Sequence, residues 1–410
     1  MGVKDAKTRA DDMTPNVDVN SRVSLTKILS EIVQPVSKDF DVEPLKQCDN
    51  LKLIELANIN YMNFALYQGI VKNRLEACFT DEQLAYLQEF YELNKQRNND
   101  FLSELREVIL VLNEYDIEPV LLKGAVALAD NWYGGMGARF MRDIDFLVPE
   151  HQVDEAYKIL NGMGYQEVMG EEEEPDHDGH HHCPALQLPD SALVIEVHFK
   201  PLSTKTKGVL SSQQVFSEKV LTNNLELGRC FIPSPTHCLM IAVLHSEISH
   251  GQRKIGVLFL RHAMDVGKIL EKYKNIDYAR IELQLISYGF GNLLSSYLFV
   301  ASYFFNLKVR KGYFNYTNRD DEYLSVVLEN MIKEGRKKKN KFDVYKKFTI
   351  DSFSYESISN RYTVNALLTV NICRVVNLGR LLRKYSNKRS WSVKVKYINS
   401  EIDSVKLIGK

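Results

Sequence analysis

Apolar residues three and four apart, as in Leu51, Leu53, Ile54, Leu56 and Ala57, recur from Val23 to Tyr115 and predict a succession of helices. Phe101, Leu102, Leu105, Val108, Ile109 and Leu112 line one face of an amphipathic helix over residues 98–115. That helix stops before Asp116-Ile117-Glu118-Pro119, because proline drives the residue before it out of the α region. The period then shortens to two. Residues 119–123 read as an apolar strand ending at Gly124, residues 125–133 as a helix, and Gly134-Gly135-Met136-Gly137 as its closing loop. Residues 143–148 form a second predicted strand, 153–163 a helix ended by Gly164, and 165–169 a further strand. Residues 180–188 and 191–199 pair as a hairpin about Pro189-Asp190. Pro233-Ser234-Pro235-Thr236 opens a helix, and helical spacing continues over 237–307 and beyond Asp321. The predicted class is α+β: residues 1–22 disordered, 23–115 helical, a small mixed-sheet core over 116–232, a helical subdomain over 233–330, and a basic, mainly helical segment over 331–410.

Composition narrows the setting. With 410 residues, 45% hydrophobic and 26% charged, the chain can bury a core and build two or three domains. No apolar run approaches the roughly 18 residues of a spanning helix, and the polar first 22 residues lack the apolar stretch of a secretory signal, so a cytoplasmic protein without a membrane partner is expected. Cys48, Cys78, Cys183, Cys230, Cys238 and Cys373 show no CxxC spacing, which favours reduced thiols over a disulfide framework or a four-cysteine zinc site. Net charge is −1 but uneven, since residues 331–410 carry 19 Lys and Arg against 6 Asp and Glu. The run Arg336-Lys337-Lys338-Lys339-Asn340-Lys341 could attract phosphates, yet no RNA-binding motif accompanies it. A solvated loop is the better reading, and nucleic acid is not favoured as a partner.

The chemistry centres on Asp143 and Asp145. Side chains two apart in a strand share a face, so both carboxylates serve one site while Ile144, Phe146 and Val148 pack behind. At a separation near ~7 Å and an effective dielectric of about 20, their repulsion is roughly 2 kcal/mol unless a cation intervenes. Oxygen-only ligation suits Mg²⁺, or Mn²⁺, which bridges carboxylates to substrate phosphates. Standing alone, such a pair would be two solvated aspartates at a strand edge. Upstream, however, strand, Lys123-Gly124 and helix form a turn at which backbone can approach a phosphate. Downstream, Val194, Glu196 and His198 share a face, which makes Glu196 the candidate third carboxylate and His198 a core or supporting histidine.

Leu121-Leu122-Lys123-Gly124, Tyr133, Arg139-Phe140-Met141-Arg142-Asp143-Ile144-Asp145-Phe146-Leu147-Val148 and Val194 to Phe199 together resemble the bacterial uncharacterised nucleotidyltransferase family of the polymerase-beta-like superfamily. Residues 233–250 and Arg261-His262-Ala263-Met264-Asp265 resemble its helical C-terminal part, and the likeness spans roughly residues 45–305. The resemblance implies a nucleotidyltransferase core that uses two metal ions to move a nucleoside monophosphate, AMP from ATP being the expected case, from an NTP to an acceptor. Asp143 and Asp145 would hold both ions, and Glu196 would complete the second site or take the acceptor's proton. Lys123 and Gly124 would contact the phosphates. Arg142 and, less so, Arg139 could add guanidinium contacts, or one of them could pair with an aspartate and be structural. One departure stands out: Ala125 follows Gly124 where the superfamily usually has serine or glycine, so no hydroxyl serves that turn.

Two other constellations weigh less. His177, His180, His181, His182 and Cys183 crowd one stretch, but alternation in a strand splits them between faces and disfavours a structural zinc. Cys183 as a nucleophile lacks the setting that lowers a thiol pKa. The alternative to an enzyme is a catalytically retired binding or regulatory protein using its basic C-terminus, against which the three intact carboxylates speak. The acceptor, whether small molecule, protein or RNA, is not specified by these residues.

Overall fold

The computed structural model describes residues 18–34, 41–168, 181–189, 191–309 and 318–336. The chain divides into two units, Met1–Gln187 with Val194–Gly335, and Leu188–Leu193 with Arg336–Lys410. The second falls almost wholly outside the described residues, as do His177, His180, the acidic run at Glu171 and nearly all of the basic segment. The first unit carries the sheet and the helices around it.

Among the described residues it opens with the helices α1 (Arg22–Val33), α2 (Glu43–Gln47), α3 (Asn50–Ile59) and α4 (Asn63–Lys72). Ser21 caps α1 by accepting from the Ser24 amide, and Asp49 caps α3 in the same way. Next comes α5 (Asp81–Glu114), 34 residues and about 50 Å long, opened by a Thr80–Gln83 capping box. The expected helix over 98–115 is only its second half. Its first half escapes periodicity because the buried stripe there is polar, with Asn94, Arg97 and Asn98 all inside.

Those polar residues have a definite task. Asn94 Nδ2 donates to the carbonyls of Gly137 (2.9 Å) and Arg139 (3.0 Å), and Asn98 Nδ2 donates to those of Met136 (2.6 Å) and Arg139 (2.9 Å). Arg97 lies over the rings of Phe101 and Phe140, and Phe140 stacks on Tyr61 and Phe64. Gly137 permits this approach, since a Cβ there would strike the Tyr91 carbonyl. The loop that leads into the aspartate strand is thus bolted to the long helix by amide hydrogen bonds.

The sheet has seven strands in the order β3-β4-β5-β2-β1-β7-β6. They are β1 (Val120–Leu121), β2 (Asp143–Leu147), β3 (Gln166–Glu167), β4 (Leu186–Gln187), β5 (Val194–His198), β6 (Val220–Leu221) and β7 (Phe231–Ile232). Central β2 runs antiparallel to β1 and parallel to β5, and β1 runs parallel to β7. The mixed sheet and the pairing of β4 with β5 match expectation, while the strand expected over 165–169 shrinks to two residues. β6 and β7 had no sequence signal, because two residues carry no period. Between β1 and β2 lies α6 (Lys123–Ala129), which starts two residues earlier and ends four earlier than expected, and after β2 comes α7 (Val153–Gly162).

Helices resume with α8 (Ser212–Ser217) and α9 (Pro235–Leu244), the latter capped by Ser234 as its Pro-Ser-Pro-Thr opening predicts. Then come α10 (Gln252–Ile255), α11 (Leu260–Lys272), α12 (Tyr278–Ser287), α13 (Leu293–Phe304) and α14 (Asn318–Arg336). Asp130, at the end of α6, fastens this half to the core. It accepts from Thr222 Oγ1 (2.9 Å), Asn223 Nδ2 (3.1 Å) and Lys272 Nζ (3.0 Å). Among the described residues no helix is long and apolar enough to cross a membrane.

Replacing Asn98 by alanine removes the donor to two carbonyls and should destabilise the protein by about 1–3 kcal/mol. Chemical denaturation of wild type and Asn98→Ala would measure it, and an unchanged midpoint would show that the clamp contributes nothing.

Candidate active site

In-register parallel pairing of β2 with β5 sets Asp145 beside Glu196, Asp143 beside Val194 and Leu147 beside His198. Because both strands alternate, Asp143, Asp145, Glu196 and His198 share one face while Ile144, Phe146, Ile195 and Val197 are buried on the other. Asp145 is the most enclosed carboxylate, 3% exposed. Its Oδ1 accepts from Lys123 Nζ at 2.6 Å and lies 2.8 Å from His198 Nε2, which is itself 3.3 Å from Glu196 Oε2. One imidazole therefore ties the two carboxylates together. Asp145, Glu196 and His198 each place a donor atom within 4.8 Å of the others, a group able to hold a cation. Asp143 stands outside that group, at the half-buried start of β2, so the expected pair of equivalent ligands is unequal.

The electrostatics are unequal as well. Burial raises the Asp143 carboxyl, the charges of Asp145 and Glu196 add to the effect, and together they bring its pKa to about 6. Burial acts the same way on Asp145, but the Lys123 ammonium and the His198 hydrogen bond outweigh it and hold that carboxyl well below its ordinary range. Lys123 and His198 are correspondingly raised: burial would lower each, and the acidic partners overcome it.

Lys123 sits at φ +49°, in the left-handed region that side chains avoid at a cost of about 1 kcal/mol or more. Glycine would be easier there, so the position needs the side chain. Gly124 has a packing role that the sequence does not show. A Cβ at Gly124 would collide with the Arg139 guanidinium, so its bareness makes room for that arginine. Of the turn's amides, Ala125 N–H is spent on the Leu122 carbonyl at 3.0 Å.

Arg139 is committed to the fold. Its Nε and Nη2 donate to Asp265 of α11 at 2.9 and 2.8 Å, and Tyr133 OH donates to the same carboxylate. This is the structural pairing with an aspartate that the sequence left open. Arg142 is exposed beside Asp143.

Sequence reasoning gave no role to Arg261, the first-turn residue of α11. Its Nε is buried without a hydrogen-bond partner among the described residues, and its guanidinium lies 5.3 Å from the Tyr61 ring centre. Burial and the charge of Arg139 lower its pKa to about 10, which leaves it a cation at neutral pH, and its charge reaches Asp143. It lies in the Arg261–Asp265 stretch that carries part of the resemblance, but its role is not readable there, because the fold alone brings it to Asp143, 118 positions earlier. The His181 and His182 rings pack against His198, with centres 5.2 and 5.0 Å away. Cys183 is pushed up by burial and by Asp154, in line with its dismissal as a nucleophile.

Lys123→Met should cost about 3 kcal/mol at neutral pH, because it leaves Asp145 buried without its cation. The pair acts above the ordinary aspartate pKa near ~3.9 and is lost as pH falls below it, so wild type and variant should converge in acid. Urea titrations across this range would test it; a gap that persists when Asp145 is protonated would assign the loss to the lysine stem instead.

Comparison with protein families matches residues 47–306, more than half of the chain, to the uncharacterised nucleotidyltransferases. No curated protein and no solved structure matches it. The matched segment contains α3 through α13, the whole sheet and all the residues of the acidic face. With the paired Asp145 and Glu196 strands at its centre, the chain belongs to the uncharacterised nucleotidyltransferase family and is a nucleotidyltransferase enzyme.

Proposed function

We propose that this protein moves AMP from ATP to the hydroxyl or phosphate of an acceptor, with release of pyrophosphate and with Mg²⁺, or Mn²⁺, held by Asp143, Asp145 and Glu196. The observation that carries the reading is the convergence of Asp145 and Glu196 on one face of adjacent parallel strands, with Asp143 two residues away on the same face. The donor set fits a hard divalent ion: Asp143 is raised to about 6 by burial and its acidic neighbours, and a cation would remove the repulsion. When bound, such an ion neutralises the triphosphate and polarises the α-phosphorus.

The chain's own residues divide the remaining work. Lys123, held 2.6 Å from Asp145, and Arg261, with an unpartnered Nε, are cations whose charges reach Asp143, and Arg142 adds a third from the surface. They suit the β- and γ-phosphates, where Arg261 takes over the part assigned to Arg139 by sequence. Arg139 acts as a positioning residue, since its Asp265 pair holds α11 and hence Arg261 against the core. Glu196, linked through His198 to Asp145, takes the acceptor's proton in this reading as the acceptor oxygen attacks the α-phosphorus and the bond to the β-phosphate oxygen breaks. Ala125 brings no hydroxyl to the phosphate turn, so these side chains carry the phosphate contacts.

Asp143→Asn, at the half-buried end of β2, should abolish transfer from α-labelled ATP to components of a cell extract while the protein melts normally. Asp145→Asn should do the same at some cost in stability. Turnover retained in Asp143→Asn would overturn the proposal. Calorimetry of each NTP with and without Mg²⁺ checks the retired-protein alternative, which requires the absence of Mg²⁺-dependent binding.

A further inference from the structure

We propose that His245, His250 and His262 form a second metal site, all-nitrogen, that takes Zn²⁺ or a similar late first-row ion in preference to Mg²⁺. The three side chains each place a ring nitrogen within 4.8 Å of the others. Their ring centres are 4.3, 5.4 and 5.6 Å apart, and the Nε2 atoms of His245 and His250 approach to 2.9 Å. Three nitrogens on a tetrahedral ion with Zn–N near 2.0–2.1 Å lie roughly 3.3 Å from one another, so the cluster needs only side-chain adjustments, and exposed His250 can supply them.

The backbone is wound to make the cluster. His245 and His250 are five apart, which on an α-helix would turn them about 140° away from each other. Instead His245–Ser249 is a π turn, closed by a 3.0 Å hydrogen bond from the His250 amide to the His245 carbonyl, and it brings the two imidazoles to one side. Such turns recur at functional sites. The third member reaches in from α11. His262 is 7% exposed, and its Nδ1 is buried with no hydrogen-bond partner among the described residues, which leaves a nitrogen free to ligate. An imidazole buried merely for packing would leave that atom desolvated with nothing in return.

The surroundings choose the ion. Burial, reinforced by neighbouring cations, lowers all three imidazoles, so their lone pairs are available at neutral pH. The charges acting on His250 are those of Lys123, Arg261, Lys205 and Arg142, and the triad contains no carboxylate. A hard ion held only by charge gains little there, whereas a borderline ion bound by nitrogen lone pairs gains its full ligand set. Three histidines leave a fourth position open, as in catalytic rather than structural zinc sites. His245 lies close enough to Lys123 and Asp145 to feel their charges, so an ion held there would make the cleft more positive.

The test uses the full chain stripped by chelator, with Zn²⁺ and Co²⁺ as probes in excess Mg²⁺. Wild type should retain about one ion per chain and give the intense Co²⁺ spectrum of a tetrahedral site. His250→Ala, an exposed position whose loss spares the core, should weaken binding by at least the roughly 10–100-fold that even outer-shell losses cost. Glu196→Gln should leave it unchanged, since that residue belongs to the other group. Equal affinity in His250→Ala and wild type, loss of the ion in Glu196→Gln alone, or displacement by Mg²⁺ would each overturn the proposal. So would an absence of binding, and if His250→Ala then weakened inorganic triphosphate, the cluster would be an anion cradle.

Discussion

The buried Asp145 carboxylate is the constraint around which the rest is arranged. A charge 3% exposed in the middle of a sheet survives only with partners, and the structure supplies an ammonium on one side and an imidazole on the other. Each partner fixes something further. Lys123 must sit in a strained backbone conformation to reach it, which fixes the entry to α6. His198 must point inward from the end of β5, which locks the strand register and with it the position of Glu196. Polarity at the heart of the sheet thus acts as a register pin, a task that apolar residues of either strand could not perform uniquely.

A second set of polar contacts holds the helical regions in place. Asn94 and Asn98 grip the loop before β2, Arg139 leaves that loop to grip α11, and Asp130 binds the 222–223 turn and Lys272. Each of the three joins segments far apart in sequence. Hydrophobic burial makes the unit stable, whereas these directional bonds decide where Arg261 and the imidazoles of the α9–α11 region stand relative to the carboxylates.

This division explains what could be read in advance. Alternation over Asp143-Ile144-Asp145-Phe146 and over Val194-Ile195-Glu196-Val197-His198 is local, and it gave the strands, their faces and the three carboxylates. The Pro-Ser-Pro-Thr start of α9 is likewise a local signal. Pairing of Arg139 with Asp265 was invisible because 126 positions separate them, and the packing of the Arg139 guanidinium on Gly124 was hidden because that arginine arrives from elsewhere in the chain. The first half of α5 was lost because its inner face is amide and guanidinium rather than apolar. β6 and β7 are too short for any period, and two histidines five apart look unrelated to a reader who counts in α-helical turns.

That last feature bears on how the region can tolerate change. The π turn at His245–Ser249 closes its ring one residue wider than an α turn, so the alignment of His245 with His250 depends on how many residues intervene and hardly on which. Exchanging buried Glu247 would cost its bond from Tyr323, yet the imidazoles would still stand side by side. Rewinding the stretch as a regular α-helix with all four intervening residues kept would swing the histidines about 140° apart, whereas deleting one of them would leave a regular helix with the pair only about 40° apart. For the cluster, what this stretch of chain encodes is a match between spacing and winding, five residues to one π turn.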